Sequence, residues 1–403
     1  MRTLAICSLV LGGACGRVGV ELRPPDPMIS CGAPLQFPIS GVTSTMTLSA
    51  TATLRGYDVF VADDDTGALR GFTYNFVAGE LTAGAADVAI AQNANGPLAV
   101  LASGNDVLVA MPYGIGDAIG TTVMSLDAQL QTRSDPAPAA RDGIYAAGGM
   151  IARSSSDALA FLTQEMKLDQ EVMSGPVDVT RVSPTGAKLD GPYTIIDDAT
   201  RAYVPTVVPA ASGFLVAWIA LSASPRRVQA ELISDQLAVT TPPIEISTAG
   251  PTSPITVNDA LSLRAAYLSG ADRFLFTWYQ KISGGDQVVI SLRDRDGDGD
   301  GRSDLAAAHE LIALSTQGIN PVVVAGSDDF LVVWKAGDLK TLRAARVSSE
   351  GELTPVGVNG TGGLPVAWDL VVRNDQPALV WIEAPEAPES SNSGTLRIDP
   401  LCH

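Results

Sequence analysis

Short apolar runs recur along this chain at a steady interval, each five or six residues long. The clearest read Gly213-Phe214-Leu215-Val216-Ala217-Trp218, Arg273-Phe274-Leu275-Phe276-Thr277-Trp278 and Asp329-Phe330-Leu331-Val332-Val333-Trp334. A shorter copy is Pro377-Ala378-Leu379-Val380-Trp381, and weaker copies occupy Tyr57–Ala62, Asn105–Ala110 and Asp157–Leu162. The copies end at Ala62, Ala110, Leu162, Trp218, Trp278, Trp334 and Trp381, so the unit repeats every 47 to 60 residues. A near-continuous apolar run of this length is the pattern of a strand covered on both faces. A strand with one wet face would alternate instead.

Each run sits inside a larger phrase. A second strand follows it, as at Leu69–Tyr74, Thr121–Leu126, Val177–Val182, Val228–Ile233, Val288–Arg293 and Leu342–Val347. Turn residues come next, as in Pro184-Thr185-Gly186, and then a leucine such as Leu81, Leu189 or Leu353 opens a further strand. A short strand also precedes each run, as at Tyr203–Val208 and Ile319–Ala325. Four strands in a unit of about 50 residues, repeated seven times, predict an all-β fold, a seven-bladed β-propeller. Trp218, Trp278, Trp334 and Trp381 share one repeat position, so packing between neighbouring blades accounts for them.

One segment competes with that reading. Asp304–Leu314 opens with a helix N-cap residue and continues with good helix formers. The repeat register, however, lays His309–Ser315 over Ile244–Thr248 of the previous unit, and a strand is expected.

The last unit is incomplete. After Trp381 comes a loop rich in Pro, Glu and Ser, then a strand at Thr395–Ile398 and no fourth strand. The missing strand is present near the other terminus, where Leu35-Gln36-Phe37-Pro38-Ile39-Ser40 resembles the outer-strand phrase Pro243–Ser247. Pro38 is tolerable there, because an outermost strand has one unpaired edge. The propeller is therefore expected over residues 33–403, closed by an N-terminal strand that completes the last blade.

Composition narrows the function. Acids outnumber bases 44 to 26, so duplex nucleic acid is not an expected partner, since phosphate binding needs a cationic face. The chain has 2 histidines, which leaves little room for a His-built zinc site or a Ser–His–Asp triad. No phosphate-cradling Gly-Lys loop and no Gly-x-Ser-x-Gly elbow occurs.

Residues 1–14 have one arginine, an apolar run from Leu4 to Leu11 and then small residues, the three regions of a secretory signal. Gly12-Gly13-Ala14-Cys15 resembles the bacterial lipobox, which implies a lipid on Cys15 after cleavage, although Gly12 replaces the favoured leucine. The same residues also suit the ordinary signal peptidase, cutting after Ala14. Cys7 leaves with the signal, and lipidation of Cys15 would leave Cys31 and Cys402 as a pair. Cys31 lies just before the closing strand and Cys402 just after its expected partner, so a disulfide between them is expected. Residues 15–32, with Pro24, Pro25 and Pro27, read as a lipid-anchored tether. The expected location is the bacterial cell envelope, at the outer membrane, with the protein a monomer.

One motif carries chemistry. Counted from Asp296, acids fall at loop positions 1, 3, 5 and 9 (Asp296, Asp298, Asp300 and Asp304), with Gly301 at position 6. Alternate carboxylates in a tight loop suit hard Ca²⁺, which takes six to eight oxygens. The run resembles the calcium loop of FG-GAP repeats, the integrin α-type propeller blade. That resemblance implies Asp296, Asp298, Asp300 and Asp304 as side-chain ligands, a backbone carbonyl from Arg302, and a structural metal. The wider repeat resembles bacterial envelope lipoproteins with Phe-Leu-Val-x-Trp propeller repeats.

Two functions remain open. The leading one is a non-enzymatic, calcium-stabilised binding or scaffold propeller for a protein or glycan. The alternative is a polysaccharide hydrolase or lyase using Asp/Glu pairs at the ring axis. Facing carboxyls in an axial pocket would favour the second, and a plugged axis the first.

Overall fold

The computed structural model describes residues 35–401, apart from short stretches of which the longest are 92–97, 139–145, 166–174, 248–259, 297–304, 306–311 and 386–391. Its strands form seven antiparallel sheets, six of four strands and one of five. They are the seven blades of a propeller, as the repeat predicts. Blade 5 shows the plan. Its strands in order from the axis are Ala260–Leu268, Arg273–Ile282, Gly285–Asp294 and Ile312–Ser315. The contested segment thus ends in a strand.

Every apolar run is the second strand of its blade. Gly213–Ala220 and Gly56–Asp63 are buried at each position, because both faces are covered by neighbouring blades. Gly213 opens its strand at φ 104°, and a Cβ there would stand 2.1 Å from the Ile233 carbonyl oxygen, so only glycine fits this hairpin. The repeated tryptophans lie between blades. Trp218 packs with blade 3, Trp278 with blade 4, Trp334 with blade 5 and Trp381 with blade 6. Packing alone explains why an indole recurs at that position.

The ring closes as expected. Leu35–Val42 pairs antiparallel with Asn392–Pro400 as the outermost strand of blade 7, with Pro38 opposite Thr395. Its inward residues Ile39 and Val42 join Met46, Val59 and Val380 in one apolar cluster that seals blade 7 to blade 1. Residues 1–34, Cys402 and His403 lie outside the described residues, and with them Cys15 and both members of the expected disulfide.

Between blades 3 and 4 one carboxyl is out of place. Glu231 is 2% exposed, stands opposite Val216 on the apolar face, and its Oε1 finds no hydrogen-bond partner among the described residues. Burial pushes its pKa up from 4.5 to about 7. A raised carboxyl pKa means that the fold prefers the proton. Stability is full below pH 4.5 and is lost as pH rises through about 7. Glu231→Gln is therefore expected to stabilise the protein by at most about 3 kcal/mol at pH 8, since the rise from 4.5 to about 7 is worth about 1.4 kcal/mol for each tenfold change in proton affinity. The gain should vanish near pH 4.5, as read by chemical denaturation at both pH values.

Candidate functional site: the axial cavity

The innermost strands of all seven blades surround a cavity of about 520 Å³ on the ring axis. Repeat position explains what lines it. The penultimate residue of each apolar run has a partner on the innermost strand. These partners are Leu48, Val100 and Ile151 in blades 1 to 3, and Thr206, Arg264, Val322 and Asp369 in blades 4 to 7. All of them border the cavity. Four are apolar and one is a threonine. The remaining two are oppositely charged and stand two blades apart.

Five innermost strands share a further device. Those of blades 3 to 7 each carry one extra residue, between Ala147 and Met150, Tyr203 and Thr206, Leu261 and Leu263, Ile319 and Val322, and Pro365 and Ala367. In blades 4, 5 and 6 the bulge holds Val204, Ser262 and Asn320 at φ values of 48°, 50° and 49°. A left-handed β-branched residue costs on the order of 1–3 kcal/mol, and such strain persists where the surroundings fix it. Bulges bend a strand and re-aim its side chains, and here they flank the axis.

Asp369 is held firmly. Its Oδ2 accepts the Ala50 N–H at 3.0 Å and the Ser49 hydroxyl at 3.3 Å, and its Oδ1 accepts the Leu370 N–H at 2.8 Å. Ala50 lies on the free inner edge of blade 1, so Asp369 latches blade 7 to blade 1 across the closure. Burial pushes its pKa up, opposed by the Ala50 and Leu370 N–H groups, by the Arg264 charge and by Ser49. Arg264 has a different environment. Its Nη1 donates to the Leu263 carbonyl at 2.9 Å. Burial pulls its pKa below the ordinary guanidinium value, and attraction to Asp369 opposes the shift. Tyr203, Gln164 and Trp368 complete the polar and aromatic lining. The Gln164 amide is committed to the Ala202 carbonyl.

The calcium loop is placed only at its base. Of the expected ligands, Asp296 is described, whereas Asp298, Asp300, Arg302 and Asp304 lie outside the described residues. The Leu305 N–H donates to the Arg295 carbonyl at 3.4 Å, Arg293 Nη1 reaches the Leu305 carbonyl at 3.5 Å, and Leu305 is fully buried. The loop therefore leaves and re-enters the blade at one point. Among the described residues no cluster of three metal-type side chains occurs.

The axis is thus neither plugged nor, among the described residues, lined by facing carboxyls. Sequence reasoning passed over Arg264 and Asp369. Counting back from each apolar run across its hairpin turn would have found them, because the bulges lie beyond that stretch.

No protein-family model matches this chain, and no curated protein does. Solved structures do. It is similar to the polysaccharide lyase Uly1, at 10% identity over 86% of this chain and 88% of that one, with a TM-score of 0.52. It is also similar to the α-L-arabinanase of Penicillium chrysogenum complexed with arabinobiose, at 12% identity over 75% and 92% of the two chains, with a TM-score of 0.51. The likeness lies in the ring of blades.

Proposed function

We propose that this chain is a non-enzymatic binding propeller of the bacterial cell envelope that holds a glycan segment in its axial cavity. The observation that carries the reading is the cavity itself, about 520 Å³ and within the range of small-molecule sites. Its described lining has one carboxylate, Asp369, and that group is spent on the latch to Ala50. Glycoside hydrolysis needs two carboxyls roughly 5–9 Å apart. The arrangement therefore favours binding over hydrolysis, and the assay for unsaturated products decides the lyase reading. A glycan is favoured over a protein ligand because the similar rings include a polysaccharide lyase and an arabinanase holding arabinobiose.

The test is an oligosaccharide array probed with the full chain, followed by assay of the bound sugars for new reducing ends or unsaturated products. Retention without cleavage is expected. Cleavage would establish the alternative, and an array with no bound sugar would remove the glycan reading.

Anchoring follows from the amino terminus. A lipid on Cys15 fixes the chain to the outer membrane, residues 15–32 act as tether, and the protein works as a monomer. Leu35–Val42 runs antiparallel to Asn392–Pro400, so the tether joins the ring on the face that carries the turns between first and second strands. The opposite face then looks away from the membrane.

Asp296, Asp298, Asp300 and Asp304, with the Arg302 carbonyl, would hold one Ca²⁺ in a loop whose base the blade already closes. Calcium at a hundredfold excess over its Kd is expected to raise stability by about 2.7 kcal/mol. Asp298→Ala with Asp300→Ala should abolish the rise, seen by thermal melting with calcium and with EDTA. A melting temperature indifferent to both would refute the site.

A further inference from the structure

Arg264 stands at a repeat position where Leu48, Val100, Ile151 and Val322 are apolar, so ring packing does not ask for a charge there. Its guanidinium has five N–H donors in a planar fork. Among the described residues one of them is used, on the Leu263 carbonyl of its own strand. The side chain is only half-buried although it lies deep in the ring, so its accessible surface faces the axial cavity. The nearest compensation is Asp369, which acts through its charge, while its own oxygens take the Ala50 and Leu370 N–H groups and the Ser49 hydroxyl.

An arginine in this setting is an incomplete ion pair. The planar group that completes a guanidinium fork is a carboxylate, by two parallel hydrogen bonds. Tyr203 and Trp368 border the same space, and aromatic faces suit the C–H faces of a sugar ring.

We propose that Arg264 anchors a carboxylate subsite in the axial cavity, and that its ligand is a sugar acid. This rests on the glycan-binding reading above and narrows it to anionic sugars.

The test is calorimetric titration of the full chain with digalacturonate, with the neutral disaccharide galactobiose, and with the dipeptide Gly-Ala as a carboxylate of another kind. Digalacturonate is expected to bind at least tenfold more tightly than galactobiose, and its advantage to fall several-fold between low and high salt. Arg264→Gln should remove the preference. Arg264→Lys should keep only part of it, since an ammonium retains the charge and loses the fork. Equal binding of the two disaccharides, with no effect of Arg264→Gln, would overturn the subsite and leave glycan binding standing. Tighter binding of Gly-Ala than of digalacturonate would overturn the sugar acid. No binding of either disaccharide, with neutral glycans retained on the array, would defeat the subsite alone. An empty array would defeat both readings. Should Arg264→Gln fail to fold, the wild-type preference and its salt dependence decide, and a salt-insensitive preference would count against the charge.

Discussion

Non-reducing peptide mapping of oxidised protein is expected to recover Cys31 linked to Cys402. The basis is the register of the closing strand. Leu35 pairs with Ile398, Phe37 with Leu396 and Ile39 with Gly394, so from Leu35 to Ile39 the two numbers of each pair share one sum, before the register shifts at Val42. Cys31 and Cys402 share it too. If the ladder runs on unbroken, they face each other on the side of the strand that holds Leu35 and Ile39. A bridge there would enclose nearly the whole chain, and the chain-entropy model assigns such a loop about 5 kcal/mol. Cys31→Ser should lower the melting temperature and release the outermost strand of blade 7 first, visible as early hydrogen exchange there. Two freely alkylated thiols in oxidised, folded protein would reject the bridge.

The second large effect is expected inside blade 7. Arg397 and Glu383 form an ion pair whose side chains are 9% and 8% exposed, and Glu383 Oε1 also accepts the Gly363 N–H at 2.6 Å. Removing one partner leaves an unpaired buried charge and an orphaned amide. Glu383→Ala should therefore cost about 3–5 kcal/mol. Replacing both residues, Glu383→Leu with Arg397→Met, should recover much of that loss, because neither charge is then stranded. Equilibrium denaturation of the three proteins checks this. A cost below about 1 kcal/mol for the single variant would mean that the pair is effectively solvated.

Much of the ring is legible in the sequence. The apolar runs are visible because the second strand of each blade is covered on both faces, which leaves no wet positions to interrupt the pattern. Closure is legible because Leu35–Ser40 carries the same phrase as an outer strand in mid-chain. The bulges are not. Val204, Ser262 and Asn320 adopt left-handed conformations without a glycine among them, so no local signal marks the extra residue. Their positions follow from how the innermost strands crowd around the axis, which is a tertiary constraint.

The candidate site is only half legible. Paired acids are the usual sign of sugar chemistry in a sequence, and the axis instead holds one acid and one base at equivalent positions in blades 7 and 5. Each looks ordinary in its own strand, Asp369 after Trp368 and Arg264 after Leu263. Their meaning emerges only when seven strands are set in register and the other members prove to be Leu, Val, Ile and Thr. The calcium loop is the opposite case. Its spacing is plain in the sequence, and its base alone, Arg295, Asp296 and Leu305, is described.

The central claim is that the axial cavity is where the ligand sits. The most direct measurement is a crystal structure of the protein with the tightest-binding oligosaccharide from the array. Sugar density is expected on the axis, within hydrogen-bond distance of Arg264. Sugar bound only on the outer faces of the blades, with nothing in the axial cavity, would contradict the claim.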